Sequence, residues 1–99
     1  DASKAILVCG NTKLELYNGF WPQDCSAATQ NILLEAEDQD LGAVWLGIYP
    51  ERERAEHFKE LFKLPKHIEP FSLIPVGYPA QEKGKADRFT EDKIHYNKW

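Results

Sequence analysis

The sequence has no methionine, no internal repeat, no low-complexity tract, and no apolar run approaching the ~18–20 residues of a membrane span. No charged-then-apolar leader opens it, so no secretory signal is expected and a cytoplasmic location is the reading. Excess positive charge is lacking too. Twelve basic against sixteen acidic residues give a net charge of −4 and no polyanion footprint, which makes nucleic acid a poor partner. The three histidines, His57, His67 and His95, have no ligand-like spacing and no cysteine beside them, so no metal site is expected. Cysteine is limited to Cys9 and Cys25, outside any CxxC pattern. They read as buried thiols in a reducing compartment, with a disulfide left open by sequence alone.

What is present fits one domain or part of one. The 99 residues are 42% hydrophobic and 28% charged, an ordinary balance for a folded soluble protein. A chain this size buries roughly 60–65% of its unfolded surface, enough for a thin core. Lys4–Gly10 (KAILVCG) is a short apolar run that predicts a strand covered on both faces. Residues 11–19 read as irregular. Pro22 then suits the first turn of a helix over about 22–38, with Asp24 at its positive end. Cys25, Ala28, Ile32 and Ala36 form its apolar stripe, and Thr29, Gln30 and Asn31 interrupt it. The acidic group Glu35, Glu37, Asp38 and Asp40 at its far end opposes the dipole.

Leu41-Gly42 marks a turn, and Ala43–Tyr49 (AVWLGIY) a strand. Pro50 opens a second helix over about 51–63, with Ala55, Phe58 and Phe62 as its buried stripe. Glu56/Lys59 and Glu60/Lys63 are placed to pair at i, i+3. Phe71–Tyr78 (FSLIPVGY) predicts a third strand, which Pro75 assigns to an edge or a bulge. Residues 80–88 are polar. Phe89–Trp99 is aromatic-rich, with alternation that predicts a short last strand over 94–99. The charge divides along the chain: residues 1–79 carry a net −5 and residues 80–99 a net +1. An aromatic, basic-leaning tail is one that docks on something.

The combination WxxDCSAATQNILL, LGAVWLGIYP, LPKHIEPFSLIPVGYPA and DRF…HYNKW, in that order, resembles the C-terminal part of the nitroreductase family. Those proteins are FMN-dependent oxidoreductases that use NADH or NADPH. The resemblance covers nearly all of the 99 residues. It implies an α+β fold with a mixed sheet flanked by helices, and a homodimer with FMN in the interface. Residues 1–79 are then core strands and helices, and residues 80–99 a domain-swapped tail that wraps the partner and adds a strand to its sheet. The basic N-terminal segment that holds the FMN phosphate and ribityl chain in such proteins has no counterpart here. The expectation is therefore a C-terminal fragment that does not complete a flavin site alone.

On that resemblance, Trp45-Leu46-Gly47, followed by Ile48, corresponds to the segment laid against the isoalloxazine ring, where glycine permits close approach. Arg88 corresponds to the basic residue that grips the FMN phosphate, with Lys85 as a helper and Ala86 where a second basic residue often stands. Gln23, Asp24 and Ser26 line the start of the long helix, facing either flavin or dimer seam. Trp21 and Phe20 read chiefly as packing. No catalytic acid, base or nucleophile stands out, as expected where a flavin carries the hydride chemistry. The implied function is hydride transfer from NAD(P)H through FMN to nitroaromatic, quinone or similar small-molecule acceptors. Two alternatives stay open: a flavin-dependent dehalogenase or flavin-modifying relative, and a non-catalytic flavin-binding or dimerisation piece.

Overall fold

In a computed structural model, which describes residues 2–99, every strand pairing runs through one strand, β4 (Ile68–Gly77). β1 (Lys4–Asn11) lies antiparallel along one side of it, from Lys4 opposite Val76 to Asn11 opposite Ile68. On the other side β2 (Gly42–Ala43) pairs with Gly77 and Val76, and β3 (Leu46–Gly47) pairs with Leu73 and Ser72, both antiparallel. The helix α1 (Trp21–Asp38) packs on β1, β4 and β2, and α2 (Arg52–Leu61) packs on β4. The class is α+β as expected. Among the described residues all the ladders of this sheet are antiparallel.

Pro75 sits in the central strand, not at an edge. Proline donates no ladder bond, and the ladder on the β2–β3 side is interrupted opposite it. Ala43 pairs with Val76 and Leu46 with Leu73, so Val44 and Trp45 pass Ile74 and Pro75 without strand pairing. The same interruption splits the continuous strand expected over 43–49 into two short ones. The bulge lies further along: Val8 pairs with Ser72 and Cys9 with Pro70, which leaves Phe71 as the extra residue.

Helix α1 begins one residue earlier than predicted. The Glu15 carboxylate accepts from the backbone N–H of Gly19 at 2.6 Å and of Trp21 at 3.1 Å, and so ties the irregular segment to the helix start. Its end differs from the expected Leu41-Gly42 turn. Asp40 takes the left-handed conformation (φ 57°), Leu41 N–H donates to Ala36 O at 2.8 Å and Asp40 N–H to Glu37 O at 3.1 Å. This is a Schellman ending with aspartate in the place glycine usually takes. Gln39 Nε2 also donates to Glu35 Oε1 at 2.6 Å, which gives one of the clustered acids a partner. Helix α2 ends in the same way, with Lys63 at φ 52° and Leu64 N–H on Lys59 O at 2.9 Å.

The buried face of α1 is Cys25, Thr29 and Ala36, with Ile32 and Leu33 half-buried. The predicted stripe put Ala28 inside and Thr29 outside; the structure reverses them. Thr29 is fully buried because its hydroxyl is satisfied twice. It donates to Cys25 O at 2.7 Å and, with that proton spent, accepts from Ser72 Oγ at 2.8 Å, joining helix to central strand. On α2, Ala55 and Phe58 are half-buried and Phe62 is exposed. The expected i, i+3 ion pairs give way to one between elements: Lys59 Nζ meets Glu69 of β4 at 2.5 Å. Lys63 has left the helical conformation and no longer stands one turn from Glu60.

The buried hydrophobic residues are few: Cys25, Ala36, Ile48, Phe71 and Ile74. The accessible surface is 8655 Å², against ~5,800 Å² for a compact monomer of this mass. The radius of gyration is 16.5 Å, against ~13 Å for a compact 100-residue domain. The chain therefore does not close on itself. Lys4, Ala5 and Ile6 are exposed, so β1 is not covered on both faces as expected. From Tyr78 onward every residue is exposed, and the tail holds one short helical turn, Glu91–Lys93. The strand expected over 94–99 does not form within this chain, where those residues are exposed and pair with no strand. No helix among the described residues is long and apolar enough to cross a membrane.

Candidate functional site

The segment from Val44 to Pro50 hangs on a few main-chain bonds to β4. Because Phe71 is the bulged residue, its carbonyl is free to accept twice, from Ile48 N–H and from Tyr49 N–H, each at 3.0 Å. Ile48 is 1% exposed and plugs the segment into the core. Glu51 N–H on Ile48 O at 2.9 Å then turns the chain into α2, through a cis Tyr49–Pro50 peptide. Beneath lies an aromatic cluster around Phe71. Tyr49 stacks on it at 5.9 Å, Trp45 leans on it at 5.8 Å, and Trp21 meets it edge-on at 6.1 Å. Trp21 also meets Tyr49 edge-on at 5.0 Å. Gly10 is required here, since a Cβ on it would overlap the Trp21 indole.

Trp45, Leu46 and Gly47 are all exposed, Trp45 while its ring leans on Phe71. A Cβ built on Gly47 would meet nothing within 4 Å, so the space above that residue is open. Its carbonyl is already engaged: Arg54 Nη1, from the first turn of α2, donates to it at 2.6 Å. The Gly47–Ile48 peptide is therefore held at both ends, by Arg54 on its carbonyl and by Phe71 O on its N–H.

The sequence-predicted site residues separate into three groups. Trp45, Leu46 and Gly47 are exposed, while the Ile48 side chain points into the core and its N–H is committed to Phe71. Arg88 lies in the exposed tail, outside every helix and strand, as do Lys85 and Ala86. Of the helix-start candidates, Gln23 and Asp24 are exposed, and Ser26 Oγ is spent on Pro22 O at 2.8 Å. Trp21 is a packing residue; Phe20 is exposed, with its ring against Tyr17 at 6.3 Å. Arg54 and Phe71 were not singled out by the sequence. Nothing in the pattern marks an arginine in a helical first turn as a carbonyl clamp, or a phenylalanine in a strand run as a bulge.

Clefts among the described residues include two of substantial volume. One of about 960 Å³ runs beside α2 and is lined by Trp21, Tyr49, Ala55, Lys59, Glu69 and Pro70 among others. One of about 650 Å³ lies between β1 and the start of α1, lined by Leu14, Tyr17, Phe20, Cys9 and Cys25 among others. Neither of these two is lined by Trp45, Leu46 or Gly47. Both cysteines are free. Burial raises the Cys9 thiol above its ordinary value, and raises Cys25 likewise with smaller contributions from Cys9 and Asp24. Raised, sheltered thiols of this kind are poor nucleophiles at neutral pH. Among the described residues no group of three or more His, Cys, Asp or Glu side chains converges as a metal site would need.

The nitroreductase family model matches residues 17–78. Over the whole chain, 99 residues are 54% identical to a protein of Methanothermobacter thermautotrophicus named "Putative NADH dehydrogenase/NAD(P)H nitroreductase", of which they span 52%. A crystal structure of a Parabacteroides distasonis protein with the same name superposes with a TM-score of 0.94 at 44% identity, over 99% of this chain and 57% of that one. A more distant relative, "FMN reductase (NADPH)" of Bacillus subtilis, is 29% identical over 74% of this chain and 28% of its own length. The chain thus spans about half the length of the curated relatives it matches at this level of identity.

Proposed function

The chain belongs to the nitroreductase family, and from that premise we propose that the protein it forms part of is an FMN-dependent oxidoreductase of the nitroreductase type. It would move hydride from NADH or NADPH to nitroaromatic, quinone or similar small acceptors. The names of the relatives support the oxidoreductase class, and one of them supports the flavin. The observation that carries the reading is the open main-chain platform at Trp45–Gly47, rigid below and unobstructed above.

A planar ring fits such a surface. Gly47 offers no side chain to hold it off, and the underlying peptides are fixed by β4 and by Arg54. Trp45, Leu46 and Gly47 would lie against the ring, with Ile48 anchoring the segment from within. Arg88, exposed and basic in the tail, would grip the phosphate through a planar fork of donors. When bound, FMN supplies the hydride-accepting and two-electron-donating chemistry. The residues of this chain orient and shape; none is assigned a proton-transfer role. Two free thiols accord with a reducing cytoplasm. The excess exposed surface and the undocked aromatic tail support a homodimer with the cofactor between subunits.

The test uses the full-length gene product. Purified, it is expected to be yellow and to oxidise NAD(P)H when a nitroaromatic or quinone is added. A colourless protein that takes up no added FMN would end the proposal. For the 99-residue chain by itself, the same open surface favours a non-catalytic piece: FMN titrated into it should bind only weakly, and micromolar affinity would contradict that.

A further inference from the structure

Arg54 stands third in α2, where the ordinary role of an arginine is that of a solvated cation on a helix rich in acids. Glu51, Glu53 and Glu56 are its neighbours in sequence, yet among the described residues it forms an ion pair with none of them. Its side chain instead runs back over the Ile48–Glu51 turn and donates from Nη1 to the Gly47 carbonyl at 2.6 Å. Gly47 is the one residue of the platform with no side chain to pack, and a glycine with open space above it is the natural point of backbone freedom. The peptide that follows it is already pinned through Ile48 N–H. Arg54 pins the carbonyl end.

Resting on the FMN reading above, we propose that Arg54 is a positioning residue of the flavin platform, which fixes the Gly47 peptide and holds a permanent positive charge beside the ring. Two chemical consequences follow. The Gly47 carbonyl has one of its two lone pairs engaged, which fixes the direction of the peptide. The guanidinium uses one of its five N–H donors on that carbonyl and keeps the rest for acceptors on the ligand. A fixed cation there favours the reduced flavin, which carries more negative charge than the oxidised one.

The full-length protein tests this in four forms: wild type, Arg54→Met, Arg54→Lys, and Arg52→Met as a charge control on the same helical turn. FMN affinity is read by fluorescence quenching and the flavin midpoint potential by equilibration with reference dyes. Arg54→Met is expected to weaken FMN about tenfold, equivalent to about 1.4 kcal/mol, and to move the potential to a more negative value. Arg54→Lys should restore most of the potential, which needs only charge, and less of the affinity, which needs the planar fork. Arg52→Met should match wild type in both. A wild type that takes up no FMN overturns the parent reading and this inference with it. A wild type that binds FMN while Arg54→Met keeps its affinity and potential overturns this inference alone, as does an Arg52→Met variant that loses as much.

Discussion

Thr29 and Trp99 invert what hydropathy leads one to expect. The threonine, mid-helix and polar, is 0% exposed; the tryptophan, the largest apolar side chain available, is 100% exposed. The difference lies in what stands opposite each. Thr29 faces Ser72 on the central strand and Cys25 O on its own helix, so its hydroxyl enters the core with its hydrogen bonds intact. Trp99 ends a tail that no strand of the chain receives, and its ring finds only His95, stacked at 4.4 Å. Burial here follows the availability of a complementary surface, and residue type comes second. The seam between α1 and β4 is complete within the chain, whereas the tail awaits a surface.

Three measurements would sharpen or break that contrast. The largest effect is expected at the seam. Thr29→Val strands the Ser72 hydroxyl in a dry site and should cost about 1–3 kcal/mol of unfolding free energy by denaturant titration of the full-length protein. Adding Ser72→Ala should recover part of the loss, because two apolar partners leave nothing unpaired. If the double variant is no more stable than Thr29→Val, the hydroxyl pair is not what holds the seam.

A smaller effect is expected from pH. Both thiols sit above their ordinary value of 9.0 through burial, so the folded state prefers them protonated. The stability they confer is fully present below the unfolded value near 9.0 and is lost as pH rises through the raised folded values. The denaturant midpoint should fall above about pH 9 and fall less in Cys25→Ala. An unchanged decline in that variant would assign it to other groups.

The smallest effect belongs to the tail. Trp99→Ala should leave the denaturant midpoint of the 99-residue chain unchanged within error. A clear drop would show that the tail packs on its own fold after all.

The same contrast explains which parts of the structure were legible in the sequence. Both helices could be placed within a few residues, because Pro22 and Pro50 mark their starts and apolar spacing carries them through. The α+β class followed from motif order. What stayed hidden depends on contacts distant in sequence. Nothing local to Thr29 reveals a serine on β4 waiting for it. Pro75 reads as an edge residue until the gap between β2 and β3 is seen to lie opposite it. The helix endings misled for a different reason: Asp40 and Lys63 hold the left-handed conformation that glycine usually marks. Arg88 was named as a phosphate contact from its motif, and within this chain it remains an exposed tail residue.

The topology also sets an order of events during synthesis. Among the described residues β1, β2 and β3 do not pair with one another; each pairs with β4, which follows them in the chain. During synthesis these three strands emerge before the strand that takes up their ladders. Lys4 meets Val76 only after all the residues between them have emerged. Such long-range closure makes folding slow and leaves apolar strands such as Lys4–Asn11 uncovered in the interval. The central strand is thus also the clock of the fold, and until Ile68–Gly77 leaves the exit tunnel the nascent chain depends on whatever shields it.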